Sequence, residues 1–342
     1  MRASELIGLI IWHQSMLYHH RRRCLGPCAL ITIVSHNQFI LGELQGKFDP
    51  RSTPPFLDMV RLGVHVSVAG GVDRAASRAH EKGCDAFQIF SSNPRKWSSK
   101  TIPCESAKRF LALQRQFGLS PVVDHMPYLP NLASSKEEVY AKSVQALARE
   151  LERCQALGIH YLVTHMGSHL GRGQESGRAR IVAALQTVFS LCDSETVLLL
   201  ENSAGTKNSM GGTFSDIAAV LESLPADRGR LGVCLDTCHL HASGYDLRTP
   251  RALQATLDLF QDCIGLEWLM LLHLNDCKGA IGSHLDRHEH IGLGQIGEEG
   301  FRAILCHPAL SDRTMILETP VDSSRDDKGN LDVARRLASG IK

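Results

Sequence analysis

The chain has 342 residues, 43% of them apolar and 21% charged, enough for one large domain or two smaller ones with a sizeable core. Lys plus Arg number 37 against 36 Asp plus Glu, and a formal charge of +1 argues against a nucleic-acid binder recognisable by a basic tail. No apolar run approaches the roughly 18 residues of a membrane span. Against only 6% Phe, Trp and Tyr, the 17 histidines ask for a metal, a proton shuttle or structural roles.

The 11 cysteines read as reduced core thiols of a cytoplasmic protein, because their number is odd, the chain is enzyme-sized and no signal peptide with a clean cleavage site precedes them. Cys24 with Cys28 and Cys234 with Cys238 lack the second pair that a zinc ribbon needs.

Residues 1–60 read as an extension without helix or strand periodicity. Their basic run, His19 to Arg23, and the breaker Pro54-Pro55 suit either a targeting peptide or an over-extended reading frame whose true start is Met59. Six basic and four acidic residues give that segment +2 and leave −1 for residues 61–342, the domain proper.

From residue 61 onward, short apolar runs alternate with amphipathic stretches. The strands expected in chain order are Leu62–Val68, Ala86–Phe90, Pro121–His125, Tyr161–His165, Val197–Glu201, Leu231–Asp236, Leu269–Leu274 and Met315–Glu318. The clearest helix spans Lys136–Leu157, where Val144, Leu147, Ala148, Leu151, Cys154 and Leu157 recur at three- and four-residue steps. Ser135 with Glu138 forms an expected capping box at its start, and Gly158 an expected stop. Eight strand–helix units over residues 61–342 predict an α/β fold, a closed (β/α)8 TIM barrel, better than an open sheet.

The polar residues that end the last six of these strands are His125, His165, Glu201, Asp236, His273 and Glu318, all of metal-ligand type. A lone strand-end histidine is usually structural, but in a barrel these ends converge on one mouth. His239 follows Asp236 by three residues, and Asp286 with His288 shares one side of an extended segment. Five imidazoles and four carboxylates suit zinc, manganese or iron better than magnesium or calcium. Nine donors exceed one tetrahedral ion, and two or three ions bridged by a carboxylate suit hydrolytic displacement at phosphate.

Cations beside apolar wedges follow strands two and three: Asn93, Pro94, Arg95, Lys96 and Trp97, then Tyr128 and Leu129. They suit phosphate gripping and the filling of a gap in a base stack, while Trp97 serves equally as a loop anchor. Gly292-Leu-Gly294-Gln-Ile-Gly297 matches a dinucleotide fingerprint, but a charged, loop-like segment precedes it, so its glycines read as loop-shaping. His65, His169, His241 and His290 read as supporting or structural.

Over nearly all of residues 61–342 the chain resembles the endonuclease IV family of apurinic/apyrimidinic (AP) endonucleases. The matching strings are HVSVAGG from His65, HMPYLPNLAS from His125, THMGSHLG from Thr164, ENSAG from Glu201, GVCLDTCH from Gly232, SGYDLRTP from Ser243, HLND from His273, DRH from Asp286 and LET from Leu317. Pro127 and Cys277 depart from residues the family often carries.

The resemblance implies a TIM barrel with three zinc ions, manganese being an alternative at one site. It implies that His125, His165 and Glu201 hold the first ion, and that Glu201 bridges to a second held by Asp236, His273 and Glu318. His239, Asp286 and His288 would hold the third. The implied reaction is hydrolysis 5′ to an abasic site in duplex DNA by a monomer, with Glu201 the catalytic residue and Arg95, Tyr128 and Leu129 probing the duplex. Three divalent ions would turn the −1 of residues 61–342 into +5, so near-zero formal charge does not exclude a DNA substrate. Rival readings are a xylose-isomerase-type sugar isomerase or epimerase, which has no call for the triad His239, Asp286 and His288, and a protein that binds abasic sites or zinc without cleaving.

Overall fold

The computed structural model describes residues 60–98 and 100–340, so the extension expected over residues 1–60 lies outside the described residues except for Val60. Seven parallel strands follow in order: β1 (Leu62–His65), β2 (Ala86–Ile89), β3 (Val122–His125), β4 (Tyr161–His165), β5 (Val197–Glu201), β6 (Leu231–Asp236) and β7 (Leu269–His273). A small antiparallel pair, β8 (Asp276–Cys277) with β9 (His288–Glu289), comes next, and β10 (Thr314–Leu317) closes the barrel between β7 and β1. Strands buried on both faces read as short apolar runs, which made them legible. Their ends are trimmed: β1 stops at His65 rather than Val68, and Glu318 lies just past β10.

Helices α1 (Asp73–Glu81), α2 (Cys104–Phe117), α3 (Glu137–Leu157), α4 (Gln174–Leu191), α5 (Phe214–Glu222), α6 (Thr237–Ser243), α7 (Pro250–Cys263), α8 (Gly297–Leu305) and α9 (Asp327–Ala338) occupy the connections between strands and follow β10. Gly158 ends α3 in the left-handed conformation at φ 62°, which a residue without Cβ adopts at little cost. The capping box expected from Ser135 and Glu138 does not form. The N-cap falls on Lys136, one residue too late for Ser135, and Glu138 Oε1 instead pairs with Lys142 Nζ at 2.7 Å. Thr213 and Asp216 make a capping box at α5.

Two stacked layers inside the barrel position the site. A separate apolar cluster takes one residue from each of seven strands: Ala86, Val123, Val163, Leu199, Cys234, Leu271 and Ile316. Burying Leu199, Leu271 or Ile316 stabilises the barrel by about 1.5–3 kcal/mol each. Alternate residues of a strand share a face. Two residues beyond these seven stand Gln88, His125, His165, Glu201, Asp236, His273 and Glu318, forming a polar layer on the apolar plug. No helix among the described residues is long and apolar enough to cross a membrane.

Candidate active site

Glu201 is the centre of the polar layer. Its Oε2 lies 3.1 Å from His125 Nε2 and 3.3 Å from His165 Nδ1. Its Oε1 lies 3.0 Å from His273 Nδ1 and 3.5 Å from His239 Nδ1. Burial alone would raise this carboxyl, but the imidazoles of His165 and His273 and the hydrogen bond from His125 outweigh it and hold it well below the usual carboxylate range. Glu318 is likewise held low, chiefly by His273 acting against burial.

A second knot surrounds helix α6. Asp236 caps it, Oδ1 accepting the N–H of His239 at 2.8 Å while Oδ2 accepts from Asn275 Nδ2 at 2.6 Å. Asp286 Oδ1 lies 3.2 Å from His239 Nε2 and 3.6 Å from His288 Nε2, and His288 Nε2 lies 3.7 Å from Asp236 Oδ2. Burial opposes a charge on His239, yet Asp236, Asp286 and Glu201 together push it up to about 10. Protons thus balance these carboxylates where cations would.

Four groups have ligand atoms all within 4.8 Å of one another: His125, His165 and Glu201; Glu201, Asp236 and His273; Asp236, His239 and His288; and Cys238, Asp286 and His288. The structure therefore draws all nine expected residues to one mouth, Glu318 joining through its Oε2, 3.6 Å from His273 Nδ1. The clustered imidazole nitrogens and carboxylate oxygens fit divalent cations. One nitrogen of each of three rings is anchored on the main chain: His125 Nδ1 donates to Met126 O at 2.8 Å, His239 Nδ1 to Asn202 O at 3.0 Å and His288 Nδ1 to Glu318 O at 3.0 Å. Each ring is thereby turned with Nε2 toward the acids, where a bound cation would take the place of the second proton.

A cavity of about 470 Å³ opens over this cluster, lined among others by His65, Phe90, Tyr128 and Asp286. Tyr128 is 64% exposed, its ring edge-on to Phe90 at 5.1 Å, and its N–H donates to Pro94 O at 3.1 Å, tying the loops after β2 and β3 together. Arg95 is exposed on the first of these loops, where its backbone N–H donates to Asn93 Oδ1 at 3.0 Å. Leu129 faces an adjoining pocket of about 310 Å³ that Tyr128 and His165 also line. Trp97 is half-buried against the core, which suits its anchoring role.

The glycine-rich segment wraps a carboxylate of the chain itself. Asp276 is fully buried and accepts backbone N–H groups from Cys277, Gly292, Gly294, Ile296 and Gly297 at 2.8, 3.0, 2.9, 2.9 and 3.3 Å. A Cβ on Gly294 would lie 2.5 Å from both Asp276 Oδ1 and Cys277 O. This clamp closes the base of the β8–β9 hairpin that carries Asp286 and His288. His169 accepts from the N–H groups of Gly171 and Gly173, while His290 bonds Asp322 and Asn330, so both are structural. Sequence reasoning missed Gln88, Asn202 and Asn275, and read Cys238, which the structure sets beside Asp286 and His288, only as a core thiol. Gln88 left a signal, a polar residue inside the otherwise apolar run Ala86–Phe90.

The fold and its mouth define a TIM barrel with groups of residues that could hold metal ions, and residues 76–339 match the family of xylose isomerase-like TIM barrels. The chain is 54% identical over 281 residues to a probable endonuclease 4 of Methanoculleus marisnigri, covering 82% of this chain and 99% of that one. The solved endonuclease IV of Thermus thermophilus matches with a TM-score of 0.72 and 38% identity over 82% of this chain and 99% of its own. A D-tagatose 3-epimerase-like protein at 18% identity and TM-score 0.62, covering 82% of this chain and 96% of its own, shares the fold alone. The chain belongs to the endonuclease IV family, DNA-cleaving hydrolases of the AP endonuclease class.

Proposed function

We propose that the chain is a zinc-dependent AP endonuclease that hydrolyses the phosphodiester 5′ to an abasic site in duplex DNA, leaving a 3′-hydroxyl and a 5′-deoxyribose phosphate. The observation that carries this reading is the convergence of four imidazoles on Glu201 beside a second set, His239, Asp286 and His288. So many donors exceed what a sugar epimerase of this fold needs. His125, His165 and Glu201 would hold one ion, Glu201, Asp236, His273 and Glu318 a second, and His239, Asp286 and His288 a third, with manganese an alternative at one site. Zinc, when bound, supplies Lewis acidity toward the phosphodiester and makes water acidic enough to attack at neutral pH.

The chain's own residues position the substrate. Glu201 spans the first two sets and orients the attack. Arg95 grips a backbone phosphate, and Tyr128 with Leu129 fills the space left by the missing base, which is cheaper to open than an intact stack. The mouth has room for an extruded deoxyribose phosphate.

The test is incubation of the metal-replete protein with a duplex carrying one abasic analogue, with and without a strong zinc chelator. The expected result is a single nick 5′ to the analogue that disappears on chelation. Absence of a nick in the replete sample overturns the activity, and a nick that survives complete metal removal overturns the zinc dependence.

A further inference from the structure

Three imidazoles at the mouth are aimed by main-chain carbonyls, whereas His273 is aimed by a side chain. His273 Nε2 lies 2.8 Å from Gln88 Oε1, while Gln88 Nε2 lies 2.6 Å from Glu318 Oε1 and 3.1 Å from His65 Nδ1. An ionised carboxylate only accepts, so the end of the carboxamide that faces Glu318 is its NH2. The carboxamide oxygen then faces His273, whose Nε2 must carry the hydrogen between them. In the neutral ring the lone pair is left on Nδ1. Facing the carboxylates, that atom here donates to Glu201 Oε1 at 3.0 Å, with Glu318 Oε2 at 3.6 Å, and a bound ion would take the place of that hydrogen while Gln88 holds the one on Nε2.

Gln88 is fully buried, and both hydrogens of its NH2 and its oxygen have partners, so its burial leaves no unmet polar atom. It also stands in the ligand layer, two residues beyond the apolar plug residue Ala86.

We infer that Gln88 is a positioning residue of the metal centre: one carboxamide fixes both the tautomer of His273 and the rotamer of Glu318, so a single side chain aims two ligands of one ion. This rests on the metal-dependent reading above. The backbone anchors of His125, His239 and His288 cannot be removed by substitution, but this one can. Its loss falls on the set formed by Glu201, Asp236, His273 and Glu318 and leaves the other two sets intact.

The test compares wild type with Gln88→Met, which keeps an unbranched side chain of similar length, and Gln88→Glu, which sets a second carboxylate against Glu318. Zinc affinity is measured by chelator competition, and the ring nitrogens of His273 by 15N NMR of the zinc-loaded protein. The expected result is an affinity about 10–100-fold lower at one site in each variant, the cost of losing a partner behind a ligand. The His273 Nε2–H signal of wild type should shift or vanish in both variants. Should Gln88→Met fail to fold, Gln88→Glu supplies the same comparison. Unchanged zinc affinity and an unchanged His273 signal overturn the inference while leaving the metal centre standing. A wild type that binds no zinc overturns the metal-dependent reading and this inference with it.

Discussion

His239 Nε2 meets Asp286 Oδ1 at 3.2 Å although one residue rides on α6 and the other on the long loop between β8 and β9. The carboxylate at this junction is partly exposed, whereas the imidazole is buried and already anchored through Nδ1. Asp286→Asn should therefore lower the metal content by one ion per chain and leave the barrel's circular dichroism unchanged. Elemental analysis of the purified variant checks this, and full metal content would show that Asp286 is not a ligand.

Glu201→Gln keeps the shape of the residue on which four imidazoles converge but removes its charge. Affinity for abasic duplex should stay close to wild type while the nicking rate falls by more than about 100-fold, because even a lost partner behind a ligand costs up to that much and Glu201 would itself be a shared ligand. Gel-shift and single-turnover assays on the same preparation separate the two. An unchanged rate would refute the bridging role.

Tyr128 is 64% exposed, so Tyr128→Ala should alter stability by no more than about 0.5 kcal/mol. Binding to abasic duplex should weaken by about 1–3 kcal/mol, the scale of one lost aromatic contact with a base. Thermal melts and fluorescence anisotropy, run in parallel, read these effects independently.

Gly294→Ala places a methyl group 2.5 Å from Asp276 Oδ1 and Cys277 O. Overpacking of this kind costs about 1–3 kcal/mol. The melting temperature should drop, and hydrogen exchange should rise specifically in residues 276–297, because the clamp is local. Exchange that rises evenly over the barrel would speak against a local clamp.

Burial pushes the Cys84 thiol up to about 11. In the unfolded chain such a thiol ionises at about 8.5. Between these values the unfolded chain has lost a proton that the folded chain keeps, so stability is full below about pH 8.5 and falls as pH rises toward 11. The loss reaches about 3 kcal/mol, and Cys84→Ala should flatten this limb in denaturant titrations between these pH values. A limb of unchanged slope would assign the alkaline loss to other groups.

The barrel was legible because its strands are buried on both faces and so read as apolar runs, and the mouth was legible because His125, His165, Glu201, Asp236 and His273 sit at strand ends. Two-residue strands such as Asp276–Cys277 and His288–Glu289 are too short to carry a period, so their pairing had no signature. The ring orientations were also hidden. They depend on carbonyls of Met126, Asn202 and Glu318, and a main-chain group has no sequence signal of its own. Ser135 shows the opposite failure, where a motif matched while the helix began one residue too late to use it.

Asp276 fills a backbone cradle of the kind that elsewhere captures phosphate. With the cradle's donors satisfied by a tethered carboxylate, they are closed to a free anion. The glycine-rich segment thus spends its affinity for oxyanions on its own chain, which makes this corner of the protein indifferent to the phosphate content of its surroundings.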